Sequence, residues 1–360
     1  MKRRAHAWVA LRALKLVNDS HQAPKLVELL SYYVADVWEG AWLPDTLIVD
    51  VQYGHIFKMD NDLKRLDLAT SKEPLVMEER MRVPYKQLRK KLRGKRLCLE
   101  YVKKSGVLKE PYRAHPKLGG HLPNRVIAIS QTIGDMLKMS DYPLIFYAKG
   151  KKQKDFARDC TEEKITDLSV SPIFSPRQIA LMFFILAHYI TDAHMPLHCD
   201  LRDCGVPKGG KLPGELKRIL PGKLHESIEE RWEKYFPEKK DLMLHEYLTK
   251  SIKDVVLKLP TGSIIRIDKD DTYKLSPRIS GTVGDEWREM VYITRTSYAV
   301  SRELIDKPYK DAHALVRAKK QDFEEVTNCI FHDAVESVAR LWLKAWERFT
   351  GRSHSNMNTS

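Results

Sequence analysis

The sequence predicts an all-α protein folded as a single multi-helical domain. Most long segments place apolar residues at the 3.6-residue spacing of an amphipathic helix. The stretches between them are loop-like, and none is long enough or flexible enough in composition to force a domain boundary. No internal repeat is found in the sequence. We therefore expect one domain over residues 1–350, followed by a frayed polar tail over residues 351–360.

The predicted helices follow one another along the chain. The first covers residues 4–17, and Asp19 or Ser20 is a candidate N-cap for the second, over residues 23–39. The remaining helices are expected over residues 122–138, 176–194, 222–236, 241–257, 285–304 and 310–349, the last of them in two pieces.

The predicted loops are marked by their composition. Four loops are expected, over residues 40–75, 148–175, 201–222 and 258–283. The loop over 40–75 contains Pro44 and Gly54, and the loop over 201–222 holds five glycines and three prolines, which are residues that favour turns. The loop over 258–283 contains the sequence GSIIRI, which is compatible with a short hairpin.

Charge and cysteine content narrow the classes of protein to which the chain can belong. It has 62 Lys and Arg against 48 Asp and Glu, a formal net charge of +14. This balance suggests an anionic partner such as nucleic acid, a phosphate ester or a lipid surface. The five cysteines show no regular framework, which argues against a disulfide scaffold and favours a reducing compartment.

The sequence shows neither a transmembrane helix nor a signal peptide. The longest apolar run has nine residues, over 179–187, whereas a membrane-spanning helix needs about 20. The opening sequence MKRRAHAWVALRALKLV is interrupted by Arg12 and Lys15, and we interpret it as a mature amphipathic helix. A cytoplasmic location is therefore the default expectation.

The segment FILAHYITDAHMPLH, over residues 184–198, contains the first candidate metal ligands. His188 and Asp192 are four residues apart, so a helix places both on one face. An imidazole and a carboxylate on adjacent turns can hold one metal ion. Pro196 is expected to end or bend the helix, and that bend can return His198 toward the same site.

Three further segments supply the same kinds of ligand. His225 and Glu229 are again four residues apart, His6 opens the first helix, and Asp45 and His55 lie in a predicted loop. In all, five histidines and three carboxylates come from four segments, and these are ligands that zinc accepts. Each pair alone is common in structural helices. The compound spacing, H-x3-D-x5-H followed 27 residues later by H-x3-E, carries the prediction.

At these residues the sequence resembles the superfamily of zinc-dependent phospholipases C and single-strand-specific zinc nucleases of the P-one type. HYITDAHMPLH is similar to that family's H-x-x-G-D-x-[HN]-Q-P-[LM]-H, and LHESIEE to its L-H-x-x-x-[DE]. AHAWVALRALKLV resembles the opening helix of the phospholipases, and GAWLPD with GHIF resembles the segment that supplies an aspartate and a histidine. The resemblance covers residues 1–235 in order and implies the all-α fold of that family.

The resemblance implies a trinuclear zinc site. The ligands it implies are Asp45, His55, His188 and Asp192 for the first ion, His198, His225 and Glu229 for the second, and His6 with the Met1 α-amine for the third, with Asp192 bridging the third ion to the first. Two to three zinc ions are expected, because the third needs a free amine at Met1.

Three features depart from the family pattern. Asp50 or Asp60 is an alternative to Asp45, because the interval from Asp45 to His55 is shorter than in the best-known members. The family's N-terminal Trp is Met1 here. The Gly and Gln of its central motif are replaced by Thr191 and Met195, neither at a ligand position.

The implied activity is hydrolysis of a phosphodiester, with a zinc-bound hydroxide attacking phosphorus in line. Asp192 would bridge metals and Asp45 would orient the attacking water, which makes these two the expected catalytic carboxylates. Glu229 and the first helix match the sequence pattern of the phospholipases better, whereas His194 and the Met1-to-His6 spacing match that of the nucleases better. A single-strand-specific endonuclease therefore remains the alternative, and the expected substrate is a phospholipid or single-stranded nucleic acid.

Candidate substrate-binding residues lie near the ligand segments. Lys208 and Lys211 fall between two of those segments and are placed to contact phosphate. Phe57 and Tyr53 flank His55 and are candidates for stacking on a base.

Two readings of another class remain open. The segment HMPLHCDLRDC contains His194, His198, Cys199 and Cys204, which are compatible with a structural zinc site in a basic nucleic-acid-binding protein. The second alternative is a helical protein that has lost catalysis and keeps its metals for structure.

Overall fold

The protein is mostly helical. The computed structural model describes residues 1–48, 54–60, 97–103, 113–114, 121–141, 174–203, 220–236, 238, 257–258, 264–265 and 283–356. Within these ranges the strands are two residues long, so the predicted all-α class is confirmed. The finer assignment to the phospholipase C or P-one nuclease type stays a prediction. No helix in the described ranges is both long enough and apolar enough to span a membrane.

The described helices follow one another as predicted, except that two short helices, Leu43–Thr46 and Leu97–Lys103, lie outside every predicted helix. Short 3-10 turns at Val34–Asp36, Pro196–His198 and Leu201–Asp203 connect some of them. The α-helices are α1 (Arg3–Ser20), α2 (Pro24–Tyr32), α3 (Val37–Gly40), α4 (Leu43–Thr46), α5 (Leu97–Lys103), α6 (Leu122–Asp141), α7 (Pro176–Ala193), α8 (Gly222–Glu233), α9 (Val283–Leu304), α10 (Ala312–Ala318) and α11 (Lys320–Asn356).

The expected cap of the second helix is wrong. Asp19 and Ser20 belong to the last turn of α1, because Lys15 Nζ donates to Asp19 Oδ1 over 2.8 Å and the Ser20 hydroxyl donates to the carbonyl of Val17. The helix expected over 23–39 is also divided, since a 3-10 turn separates α2 from α3. The side chains that looked like caps therefore stabilise the preceding helix.

The C-terminal helices confirm a predicted break and move a predicted end. The segment expected over 310–349 forms two pieces, α10 and α11. Helix α11 continues to Asn356, so residues 351–356 of the expected frayed tail are helical. Most of the helix expected over 241–257 lies outside the described residues, and Leu257 itself belongs to a strand.

Two antiparallel strand pairs complete the described elements. Strand β3 (Leu257–Lys258) pairs with β4 (Ile264–Ile265), which places a hairpin where GSIIRI suggested one. Strand β1 (Met59–Asp60) pairs with β2 (Arg113–Ala114), and Met59 also bridges to Asp200. The loop expected over 40–75 therefore contains α4 and a strand that anchors the segment after His55.

Helix α7 lies at the centre of the molecule and packs against α1, α6, α9 and α11. Its start is fixed by a capping box, in which the Ser175 hydroxyl accepts from the backbone of Gln178 and the Gln178 side chain accepts from the backbone of Ser175. Apolar side chains such as Phe183 and Ile190 are fully buried. A helix that is apolar nearly all round needs neighbours on every side, which makes α7 a rigid base for its polar residues.

Gly40, the last residue of α3, allows that short helix to approach α7 closely. A Cβ atom at this position would lie 2.9 Å from Cβ of Phe184. The close approach places the carbonyl oxygen of Ala41 2.8 Å from Nδ1 of His188. Glycine at this position therefore helps to position a candidate ligand.

Candidate metal centre

Residues from the N-terminus, four helices and two connecting segments meet in one cluster, which is largely buried and most exposed at Asp45. Helix α7 contributes His188 and Asp192, both almost fully buried. The helix ends at Ala193, and Pro196 opens the 3-10 turn that returns His198 toward α7, as the sequence predicts. The other members are Met1, His6 of α1, Asp45 of α4, His55, and His225 and Glu229 of α8.

The first group of donor atoms lies between α4 and α7. His188 Nε2 is 3.1 Å from Asp192 Oδ2 and 3.6 Å from Asp45 Oδ1. His55 Nδ1 is 2.8 Å from the same Asp192 oxygen, 3.1 Å from His188 Nε2 and 3.7 Å from Asp45 Oδ1. Four ligands bound tetrahedrally at about 2.1 Å are about 3.4 Å apart, so these spacings suit one zinc ion.

A second group joins the 3-10 turn to α8. Glu229 Oε1 is 3.5 Å from His198 Nε2 and 3.2 Å from His225 Nε2. His225 and Glu229 are on consecutive turns of α8, as their four-residue spacing predicts. His198 Nδ1 is 3.5 Å from Asp192 Oδ1, which connects this group to the first.

The N-terminus completes the cluster. The Met1 amine lies 2.9 Å from Asp192 Oδ1 and 2.9 Å from Glu229 Oε1. His6 Nε2 is 3.4 Å from the same Asp192 oxygen and 3.2 Å from the Met1 carbonyl oxygen. The two oxygens of Asp192 therefore face different groups, which is the arrangement that a bridging carboxylate needs.

Hydrogen bonds on the far side of two histidines orient their rings. His188 Nδ1 pairs with the Ala41 carbonyl, so this nitrogen carries the proton and Nε2 presents its lone pair to the cluster. His225 Nδ1 pairs with Asp203 Oδ2 at 2.8 Å, and Lys58 Nζ is 3.2 Å from that oxygen. Such supporting contacts are typical of metal-binding histidines.

The amine and the two deeply buried carboxylates stabilise each other's charged forms. Burial by itself lowers the pKa of the Met1 amine, but the negative charges of Asp192, Glu229 and Asp45 outweigh it and raise this pKa to about 11. Burial raises the carboxyl pKa values of Asp192 and Glu229, but the amine and the nearby histidines hold both well below their usual range. Both carboxylates are therefore ionised at neutral pH, as metal ligands must be, whereas the amine is protonated and must lose that proton before it can bind a cation.

The histidines divide by environment. Burial is the main cause that lowers the pKa of His6 to about 3 and of His198 to about 4, so both rings are neutral near pH 7. Burial also lowers the pKa of His225, but Glu229 and Asp203 outweigh it and raise this pKa to about 9. A cation bound between His198, His225 and Glu229 must displace that proton.

An unpaired buried nitrogen of His198 also fits a bound cation in this cluster. Nδ1 of His198 is buried and has no hydrogen-bond partner in the described part of the chain. Burying a polar nitrogen without a hydrogen-bond partner costs free energy, and a cation bound beside Asp192 Oδ1, 3.5 Å from this nitrogen, would supply a partner. Once the proton of His225 is displaced, the imidazoles and the ionised carboxylates form a donor set that zinc accepts. That zinc occupies the cluster stays a prediction.

The structure describes some of the remaining candidate residues and leaves others outside the described ranges. Phe57 is only 1% exposed, so its ring is not available to stack on a substrate, because its backbone N–H pairs with the His198 carbonyl and turns the side chain into the core. Asp45 is the candidate aspartate that the structure places among the histidines, whereas the Asp60 side chain is not described. Tyr53, Asp50, Lys208, Lys211 and Cys204 lie outside the described residues.

The residues of the alternative structural zinc site face different partners. His194 Nε2 pairs with the Ser337 hydroxyl at 2.8 Å, and Cys199 Sγ donates to the Ala193 carbonyl. Burial raises the pKa of the Cys199 thiol, which opposes the thiolate that zinc requires. Among His194, His198 and Cys199, the described members of this site, only His198 faces the cluster, so they do not support this alternative.

Sequence reasoning missed three contributors to the site. Asp203 and Lys58 support His225, and Trp42 lies beside the histidine rings, 6.1 Å from His6 between ring centroids. None has a regular spacing to a ligand. The available hint was that each lies within five residues of one, since Trp42 precedes Asp45, Lys58 follows His55 and Asp203 follows His198.

The fold and the site define an all-α protein with a candidate multinuclear metal centre. No protein-family model, curated protein or solved structure matches the chain. The resemblance to the phospholipase C and P-one nuclease superfamily therefore depends on the motifs themselves.

Proposed function

We propose that the chain is a zinc-dependent hydrolase that cleaves phosphodiester bonds and binds two to three zinc ions. One observation carries the proposal: the donor atoms of Asp45, His55, His188 and Asp192 lie 2.8–3.7 Å apart in the five pairs that join them at hydrogen-bond or ion-pair distance. These residues would hold one zinc. His198, His225 and Glu229 would hold a second, and His6 with the Met1 amine a third.

Bound zinc would supply Lewis acidity that stabilises charge on phosphate oxygens and promotes ionisation of water near neutral pH. Asp192 would hold adjacent cations at a fixed separation, because its two oxygens face different groups. The Asp45 side chain is 29% exposed, whereas that of Asp192 is 2% exposed. Asp45 is therefore the carboxylate that a substrate or water can reach, and we assign it the role of orienting the attacking water.

Two classes of phosphodiester substrate are candidates, a phospholipid and single-stranded nucleic acid. Glu229 in the second ligand group and the opening helix favour a phospholipase C-like activity. A single-strand-specific endonuclease is the second candidate, favoured by basic residues at the start of α1 and just after α8 that line a cleft next to the cluster. Hydrolysis of phosphatidylcholine micelles and of single-stranded DNA by the zinc-loaded protein separates the two.

Metal content is the first test of the proposal. We expect mass spectrometry to find two to three zinc ions per chain in protein purified without a metal-binding tag. Zinc-dependent turnover of bis-p-nitrophenyl phosphate, lost with chelator and restored by zinc, would support the hydrolase. One zinc without turnover would favour a structural site. No zinc after zinc is added back would contradict the proposal.

The third zinc can be tested at the N-terminus. The Met1 amine is in contact with Asp192 and Glu229, and Met1 is only 3% exposed, so added residues have no space beside the cluster. Two glycines placed before Met1 should lower the zinc content by one ion per chain. The same glycines added after Ser360 are the control. Equal zinc content in both proteins would show that the amine is not a ligand.

A further inference from the structure

We propose that a cleft beside the metal centre is a subsite for a second phosphate group of the substrate. This inference rests on the proposed phosphodiesterase function. The cleft has a volume of about 450 Å³ and lies between the start of α1 and the end of α8. Its lining residues are Lys2, Arg3, Arg4, Trp42, Glu230, Glu233 and Lys234.

Trp42 forms the wall between the cleft and the metal centre. Its ring centroid is 6.1 Å from that of His6 and 6.3 Å from that of His188. On the other side, Lys2 Nζ is 3.9 Å from Oε2 of Glu229, a candidate ligand. A substrate with its scissile phosphate at the metal centre therefore needs to extend only past one indole ring to reach the cleft.

The charge of the lining favours an anion. Four basic residues face two acidic ones. Glu233 is already engaged, because its carboxylate accepts from the backbone N–H groups of Arg4 and Ala5. The backbone N–H groups at the start of α1 are thus occupied by the Glu233 carboxylate. Any attraction for an anionic ligand must therefore come from the basic side chains.

Two of those basic residues are held by carboxylates outside the proposed ligand set. Arg3 pairs with Glu39 and also donates to the Trp38 carbonyl, and Arg4 Nε is 3.7 Å from Glu233 Oε1. These guanidinium groups therefore serve mainly to fix the walls of the cleft.

The two lysines are the groups available to a ligand. The Lys2 amine forms a long ion pair with Glu229, at 3.9 Å. A metal ion bound by Glu229 would weaken this pair, because it would neutralise part of the carboxylate charge. Lys234 is exposed and forms no ion pair with the described residues. Lysine binds phosphate as a point charge, so one amine just before α1 and another just after α8 suit a phosphate group between them.

A second phosphate can reach this position from two sources with the same chemistry. A nucleic-acid strand carries one phosphate per nucleotide, and a phosphorylated lipid head group carries one on its sugar or inositol ring. A zwitterionic head group such as choline offers no anion to the lysines. The cleft therefore selects substrates that carry a further phosphate next to the scissile one.

The test is calorimetric binding of matched probes to the zinc-loaded protein. The probes are thymidine 5′-phosphate and thymidine 3′,5′-bisphosphate, with inositol 1-phosphate and inositol 1,4-bisphosphate as the second pair. The measured quantity is the ratio of monophosphate to bisphosphate Kd. An exposed ion pair of ordinary strength predicts a ratio of about two to five for a bisphosphate that reaches the cleft.

Opposite charge changes in the cleft give the decisive comparison. Lys234→Ala should lower the Kd ratio toward one, and Glu230→Gln should raise it, because one removes a positive and the other a negative charge from the lining. Lys25→Ala, at an exposed position on α2, is the matched control and should leave the ratio unchanged. Damage to the fold cannot shift the ratio in opposite directions in the two variants.

Each outcome decides the question. A preference for either bisphosphate that follows the two charge changes supports the subsite and identifies its carrier. A ratio of one for both pairs, or shifts of the same sign in Lys234→Ala and Glu230→Gln, overturns it. Binding needs no turnover, so failure of the proposed function is recognised separately, as absence of bis-p-nitrophenyl phosphate hydrolysis.

Discussion

At the residue scale, Asp192 connects the three groups of donor atoms. One of its oxygens faces His55 and His188, and the other faces the Met1 amine, His6 and His198. Its carboxyl pKa is held well below the usual range by the amine and the histidines despite burial, which by itself raises it. A buried charge with this many partners is costly to lose, because its partners would remain charged or unpaired.

Asp192→Asn should therefore remove zinc from more than one group and lower phosphodiesterase turnover by more than about 100-fold, since even supporting residues of metal sites are worth about 10–100-fold. Zinc content and turnover of bis-p-nitrophenyl phosphate are the measurements. Asp135→Asn, whose carboxylate is 65% exposed on α6, is the control. Near-normal turnover by a folded Asp192→Asn protein would contradict the proposed mechanism.

Asp203 affects the site through His225. Burial raises the Asp203 carboxyl pKa, but Lys58 and His225 outweigh that effect and hold it well below the usual range. The ionised carboxylate pairs with His225 Nδ1 and thereby directs Nε2 toward Glu229.

Asp203→Asn should weaken zinc binding at the second group by about 10–100-fold, because it removes the charge that orients the His225 ring. Competition with a fluorescent zinc chelator measures the affinity. Asp306→Asn, at a carboxylate that is 52% exposed, is the matched control. A lower melting temperature with unchanged zinc affinity would show that Asp203 serves stability alone.

At the element scale, the contact between α3 and α7 connects packing to the site. Helix α3 has only four residues, so its own hydrogen bonds contribute little, and its position depends on its contact with α7. Gly40 makes that contact possible, and the next carbonyl, that of Ala41, orients His188.

Gly40→Ala should destabilise the fold by about 1–3 kcal/mol, the usual cost of overpacking, because its Cβ would lie 2.9 Å from Cβ of Phe184. Zinc affinity should fall as well, since the Ala41 carbonyl must move. Urea unfolding and zinc competition are the measurements. In the control Gly134→Ala, the added Cβ meets nothing within 4 Å on α6, and we expect stabilisation by about 0.5–1 kcal/mol. Equal effects at the two glycines would refute the packing argument.

At the scale of the whole molecule, the candidate metal centre joins segments that are distant along the chain. Met1 meets Asp192 across 191 positions, and His55 meets the same residue across 137. The cluster also concentrates ionised groups in a buried place. Cations bound there would therefore stabilise the folded chain as a unit, because the unfolded chain holds these ligands far apart.

Removing zinc should accordingly lower the melting temperature. A site filled at 100 times its Kd contributes about 2.7 kcal/mol of stability. Differential scanning fluorimetry should show a melting temperature that falls with chelator and rises in steps as zinc is returned, while magnesium at equal concentration has little effect. A melting temperature independent of zinc would mean that no ion binds the folded state preferentially.

Local spacing alone determined much of this protein. The 3.6-residue apolar pattern gave the all-α class and most helices. Four-residue spacing placed His188 with Asp192, and His225 with Glu229, on single helix faces. Pro196 also predicted the end of α7. These features are readable because they depend on contacts within one or two helical turns.

Only the tertiary structure decided the rest. It placed Asp45 among the histidines, turned Phe57 into the core, directed His194 to Ser337 and brought Asp203 to His225. It also formed the cleft around Trp42. The physical reason is that these contacts join elements far apart along the chain. Their distances follow from how buried helices pack, which no local spacing encodes.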